Sequence, residues 1–193
     1  MIESDWKEKG FDSIGYFKYK VKRTLYIDKY PNPKYKYKEK IDFNGSEKCK
    51  PYAVCIGFNP AAAKSDIDVT NKRLIKLLKK DYGGYFLFNI YPEITDNIKQ
   101  LNFNDENNQS FVDQLVNILN EEEYCDLDII LFFGRMLAIP EQLESFLKEQ
   151  NRKIFITSHN NEFTHPGSNA DIQKKPFEMD FLRKSTCIRV HDK

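Results

Sequence analysis

Metal-ligand spacing is missing from this chain. Its four cysteines, Cys49, Cys55, Cys125 and Cys187, form no CxxC pair, which points away from zinc and from an iron–sulfur cluster. Cys55 lies inside an apolar run and reads as a small core residue, and reduced thiols are the expectation for all four. No apolar run approaches the roughly 20 residues of a membrane span. The segment MIESDWKEKG has no apolar signal-peptide core, so a cytoplasmic protein is expected. A Walker loop, a GxSxG elbow, internal repeats and low-complexity linkers are also lacking. No metal or cofactor is implied.

What remains is a globular composition. The 193 residues are 40% hydrophobic and 14% aromatic, enough for one domain with its own core, and 31% are charged. The net charge of +1 is unevenly spread. Residues 16–40 hold nine Lys or Arg against Asp28 and Glu39, a net +7.

Within that basic segment, YFKYKVKRTLYI alternates: Phe17, Tyr19 and Val21 on one side, Lys18, Lys20 and Lys22 on the other. Period two predicts a strand with one buried face. Pro31 and Pro33 interrupt it, and KYKYKEKIDF resumes with Tyr35 and Tyr37 opposite Lys34, Lys36, Lys38 and Lys40. An antiparallel hairpin over 14–45 follows, ahead of a core over 50–190 in the same domain. Its lysine face reads either as a solvated surface or as a footprint for a phosphate backbone, through Lys18, Lys20, Lys22, Lys36 and Lys38.

From residue 52 the pattern changes. YAVCIGF is a continuous apolar run, as in a strand covered on both faces, and YFLFNIY, LDIILFFG and KIFITS read as three further strands. Between them lie helical patterns. The first has Leu74, Leu77 and Leu78 with Asp68 as cap and Gly83-Gly84 as stop; the second has Phe111, Leu115, Ile118 and Leu119 on one face; the third has Pro140 in its first turn. A last helix around 176–184 and a short strand in TCIRV complete the reading. The alternation predicts an α/β fold: a four-stranded, mostly parallel sheet flanked by helices, with the hairpin as an N-terminal extension.

Open parallel sheets bind ligands at the carboxyl ends of their strands. There the first strand ends in Gly57-Phe58-Asn59-Pro60, the second in Asn89 and then Tyr91, the third in Gly134-Arg135, the fourth in Ser158-His159, with His165 in the next loop. Amides, aromatics and histidines on one edge suit a planar, polar, mostly neutral ligand. Each residue also has a plain reading. Asn59-Pro60 can be a turn, Asn89 a structural hydrogen bond, and the histidines and Arg135 surface groups.

The stretch IGFNPAAAKSDIDVTNKRLIKLLKKDYGGYFLFNIYPEITD resembles the bacterial and phage domain-of-unknown-function family 1643. That family has a strand followed by an LNPSTAD-like loop, then D-x-T opening a helix, a GY segment, a strand ending in NL, and TD. Here these are Gly57–Ala61, Asp68-Val69-Thr70, Tyr82-Gly83, Phe88-Asn89-Ile90 and Thr95-Asp96. The resemblance extends over about residues 14–182 and names no reaction. A second likeness is to uracil-DNA glycosylases: Gly57-x-Asn59-Pro60, Leu87-Phe88-Asn89, Phe133-Gly134, and a histidine that is either His159 or His165 follow that superfamily's order. Ala61 stands where those proteins have glycine, Phe133 where they have tryptophan, and the first loop lacks their aspartate.

The second resemblance implies a nucleobase-recognising protein acting on DNA, single- or double-stranded, or on a nucleotide, with excision by N-glycosidic hydrolysis as its reaction. Asn59 would position water or contact the sugar, Phe58 or a neighbouring aromatic would stack on the base, Asn89 would read its edge, and His165 or His159 would stabilise charge on the base oxygen. Gly57, Pro60, Tyr91, Gly134, Arg135 and Ser158 would line the substrate. The alternatives are a binding module of the same fold without chemistry, and an enzyme acting on a small nucleotide-like metabolite.

Overall fold

The structure, a computed structural model, describes residues 7–16, 19–29, 32–43, 50–60, 67–133, 139–159, 162–163, 165 and 173–177. Its strands are β1 (Lys7–Tyr16), β2 (Tyr19–Ile27), β3 (Lys36–Phe43), β4 (Tyr52–Gly57), β5 (Gly84–Asn89), β6 (Asp128–Leu131), β7 (Ile154–His159), β8 (Glu162–Phe163) and β9 (Gln173–Pro176). Its helices are α1 (Val69–Leu78), α2 (Glu106–Leu119) and α3 (Glu141–Glu149), with a 3-10 turn at Ile98–Gln100.

All nine described strands join one sheet, in the order β1-β2-β3-β5-β4-β6-β7-β8, with β9 also on β7. The four strands read from YAVCIGF, YFLFNIY, LDIILFFG and KIFITS are β4 to β7, and they pair in parallel as β5-β4-β6-β7. The rest is antiparallel. The sheet is therefore mixed and larger than the four-stranded, mostly parallel one expected. The basic hairpin is real, as β2 and β3, but it is no appendage: β3 pairs with β5 and carries the core sheet outward. β1, β8 and β9 escaped the sequence reading because they are short or interrupted. Pro176, expected in a helix, ends β9 instead, Phe177 follows it outside any helix, and 178–184 and TCIRV lie outside the described residues.

Two cores result. On one face α2 and α3 place Phe111, Leu115, Ile118, Leu143 and Phe146 against Val54, Ile56, Phe88 and Leu131. On the other, α1 places Leu74, Ile75 and Leu78 against Cys55, Tyr85, Leu87 and Ile130. Each such Leu or Ile contributes roughly 1.5–3 kcal/mol relative to exposure. Asp68 caps α1 as its position suggested, accepting from the Asn71 N–H at 2.8 Å. Cys55 is a buried free thiol, and burial raises its pKa well above the ordinary value.

β3 carries the largest correction. As an interior strand it is covered on both faces, so Lys36 and Lys38 are 3% and 6% exposed. Tyr26 pairs with Lys38 but Ile27 with Lys36, which leaves Tyr37 as the extra residue of a bulge. The bulge breaks the alternation. Tyr35 and Tyr37 stay in the α2/α3 core, Lys38 donates to the Tyr124 hydroxyl at 2.8 Å, and Lys36 turns to the α1 face to meet Glu39 at 2.8 Å. Among the described residues no helix is long and apolar enough to cross a membrane.

Candidate functional site

The chain leaves β4 towards β5 on one side and returns to β6 on the other, so the order of the parallel strands reverses between β4 and β6. Ligands of open α/β sheets bind at such a point, at the carboxyl edge. Four groups meet there on the α1 face. Gly57 and Asn89 are direct cross-strand partners. Phe132 follows β6, its N–H bonded to Ile56 O at 3.0 Å. The His165 ring lies over Phe132, centroids 5.9 Å apart and planes inclined at 47°.

Gly57 makes the convergence possible. A Cβ at that position would come within 2.6 Å of Asn89 Oδ1 and 2.5 Å of Phe132 Cζ, closer than real side chains approach. Asn89 is only 3% exposed, and among the described residues its side-chain amide has no hydrogen-bond partner. The amide faces a neighbour with no side chain, beside the Phe132 ring.

His165 is an exposed residue on this edge. Desolvation lowers its imidazole pKa, Asp68 opposes the shift and Arg73 adds to it. Its N–H can donate to an oxygen that gains charge.

The other predicted residues are placed as follows. Asn59 donates from Nδ2 to Thr95 O at 2.7 Å, and with the bonds Ile90 N to Gly57 O, Tyr91 N to Phe58 O and Thr95 N to Pro60 O it joins the loops after β4 and β5. Pro60 is buried in this seam. Phe58 points to the opposite face, where its ring meets Tyr91 and Phe103 with centroids 5.1 and 6.3 Å away. Ser158 is buried, its Oγ has no partner among the described residues, and alternation along β7 puts it on the face of Ile154 and Ile156, away from Asn89. His159 closes β7, but its side chain lies outside the described residues, as do Gly134, Arg135 and Lys18. Lys20 lies in β2, its side chain outside the described residues; Lys22 is exposed opposite Asp42, while Lys36 and Lys38 are internal.

Beneath α1 on the same face is a polar cluster that sequence reasoning missed. Glu39, fully buried, accepts from Arg23 Nε at 2.5 Å, Lys36 Nζ at 2.8 Å and Asn71 Nδ2 at 3.0 Å. The Tyr85 hydroxyl donates to Asn71 Oδ1 at 2.6 Å. Burial alone would raise the Glu39 pKa, but Lys36 and Arg23 outweigh it and hold the carboxyl at about 2. Phe132 was also missed. In Phe132-Phe133 the two rings alternate between faces, and only strand phase decides which one meets Gly57. Among the described residues no group of three or more His, Cys, Asp or Glu could hold a metal ion.

Fold and site together define an α/β protein with a mixed sheet flanked by three helices, its polar and aromatic strand ends gathered at the switch point. The model of a family described as protein of unknown function, DUF1643, matches residues 42–167, and the chain belongs to that family. No curated protein matches the chain. The matched span includes Gly57, Asn89, Phe132 and His165, and it leaves out β1 and β2.

Proposed function

We propose that this protein recognises a nucleobase at the carboxyl edge of its parallel strands, with Asn89 reading the edge of the base. One observation carries the reading: the amide of Asn89, a residue 3% exposed, has no hydrogen-bond partner among the described residues and is turned onto a glycine beside the Phe132 ring. An asparagine offers a donor and an acceptor side by side, which is what the edge of a base requires. The His165 imidazole then donates to the base oxygen, and the Phe132 and His165 rings form one wall. The order of strand-end motifs resembles uracil-DNA glycosylases and supports the same reading.

In its catalytic form this is base excision by N-glycosidic hydrolysis. The binding-only form is favoured by a specific contact, since Asn59 Nδ2 already donates to Thr95 O. A panel of uracil-, mismatch- and modified-base DNA separates the two: excision leaves alkali-labile sites, and intact DNA throughout removes the catalytic form. Recognition itself is read by thermal shift with free nucleosides and nucleotides. Asn89→Ala is expected to weaken the preferred base by about 10- to 100-fold while the circular dichroism stays parental. Equal affinity of parent and variant overturns the reading.

A further inference from the structure

Charge in this molecule is sorted by helix. From 69 to 80, α1 and the two residues after it carry Lys72, Arg73, Lys76, Lys79 and Lys80 and no acid, a net +5. From 106 to 123, α2 and the turn after it carry Glu106, Asp113, Glu121, Glu122 and Glu123 and no base, a net −5. α3 adds three acids against Lys148. Because α1 covers one face of the sheet and α2 and α3 the other, the helix on the Asn89 face is the basic one.

Helix stability does not account for the α1 charges. Lys76 and the two lysines beyond α1 complement the dipole at the carboxyl end, but Lys72 and Arg73 lie in the half where cations oppose it. The first turn of α1 has no acid, whereas α2 has Glu106 and α3 has Glu141 and Glu144. Lys72, Lys76 and Lys80 also repel one another at i, i+4 spacing.

Val69, Lys72, Arg73, Lys76 and Lys80 recur at helical spacing opposite the buried Asn71, Leu74, Ile75 and Leu78, so they form one outward stripe. Val69, 54% exposed, stands at the end of the stripe nearest the carboxyl edge. Arg73 reaches the same edge electrostatically, through its effect on the His165 imidazole.

We propose that the outer stripe of α1 is the track along which the phosphodiester backbone of a nucleic-acid strand lies, leading a base towards Asn89. The proposal deepens the base-recognition reading and rests on it for the identity of the partner. It moves the phosphate contacts from the hairpin, where Lys36 and Lys38 are internal, to a helix on whose outer side Lys76 and Lys80 are exposed and Lys72 and Arg73 half-buried.

The test is the salt dependence of binding to a labelled oligonucleotide, single-stranded and duplex, followed by fluorescence anisotropy. For a single strand the expected slope of log affinity against log salt is about −2.8, with about −0.7 for each of the four stripe cations. Lys72→Glu, Lys76→Glu and Lys80→Glu together should lower affinity and make the slope shallower by about 2. If that variant fails to fold, Lys→Gln at the same positions carries the test with the same sign. Reversal of Glu122 and Glu123 to Lys, on the α2 side, should leave the slope as it was. No binding at low salt, a stripe variant with the parental slope, or binding of polyglutamate but not of the oligonucleotide overturns the proposal. The two readings fail separately. If free nucleosides never bind and the slope still depends on the stripe, the base site is lost and the track stands.

Discussion

The hydrogen atom at Gly57 stands where any other residue would place a carbon. Asn89 Oδ1 and the edge of Phe132 converge on that space, so Gly57→Ala must push one of them away. The expected cost is about 1–3 kcal/mol in chemical denaturation, together with loss of nucleoside binding. Gly10→Ala is the control: nothing lies within 4 Å of a Cβ there, and both readouts should stay near parental. At this scale the sequence was legible in part. An asparagine interrupting YFLFNIY announced itself as an amide in a core. Phe132 did not, because two adjacent aromatics look alike until pairing with β4 sets the phase of the strand.

Between residues and whole lies β3, an element whose sequence misleads. Alternating lysines and tyrosines describe a half-solvated strand, and the pattern holds no sign of the bulge at Tyr37 or of β5 on its far side. Both follow from tertiary pairing. The helices were easier: Asp68 caps α1, and Phe111, Leu115, Ile118 and Leu119 of α2 are all buried as their spacing required. The Glu39 cluster ties β2, β3, β5 and α1 together and makes a signed prediction. With a folded pKa of about 2 against an ordinary 4.5, Glu39 binds its proton more readily in the unfolded chain. Its contribution is complete above pH 4.5, declines as pH falls through that window, and is gone near pH 2; it amounts to about 3 kcal/mol. Glu39→Gln leaves Arg23 and Lys36 buried without a carboxylate, so it should cost about 3–5 kcal/mol at pH 7. It should also flatten the acid limb of a stability–pH profile. A steep limb that survives the substitution would assign it to other carboxylates.

For the molecule as a whole, the family match begins at residue 42, inside β3. A fragment of residues 42–167 would leave an open edge on β5 and remove Val21, Tyr35, Tyr37 and Ile41 from the two cores. It is expected to aggregate or to show collapsed amide dispersion in a proton NMR spectrum, where the full chain is well dispersed. A well-dispersed fragment would show that the hairpin is dispensable. The parallel order was legible because the runs from β4 to β7 are mostly apolar and alternate with helical patterns; the extent of the sheet was not, because β8 is two residues long and β9 is short and polar. The seam formed by Asn59, Thr95 and the bonds from residues 57, 58 and 60 to residues 90, 91 and 95 has its own consequence. It continues the β4–β5 ladder past the last strand residues and makes the two loops one stiff jaw. A ligand arriving at this edge meets a wall already ordered by folding, so on that side association carries little further loss of conformational freedom.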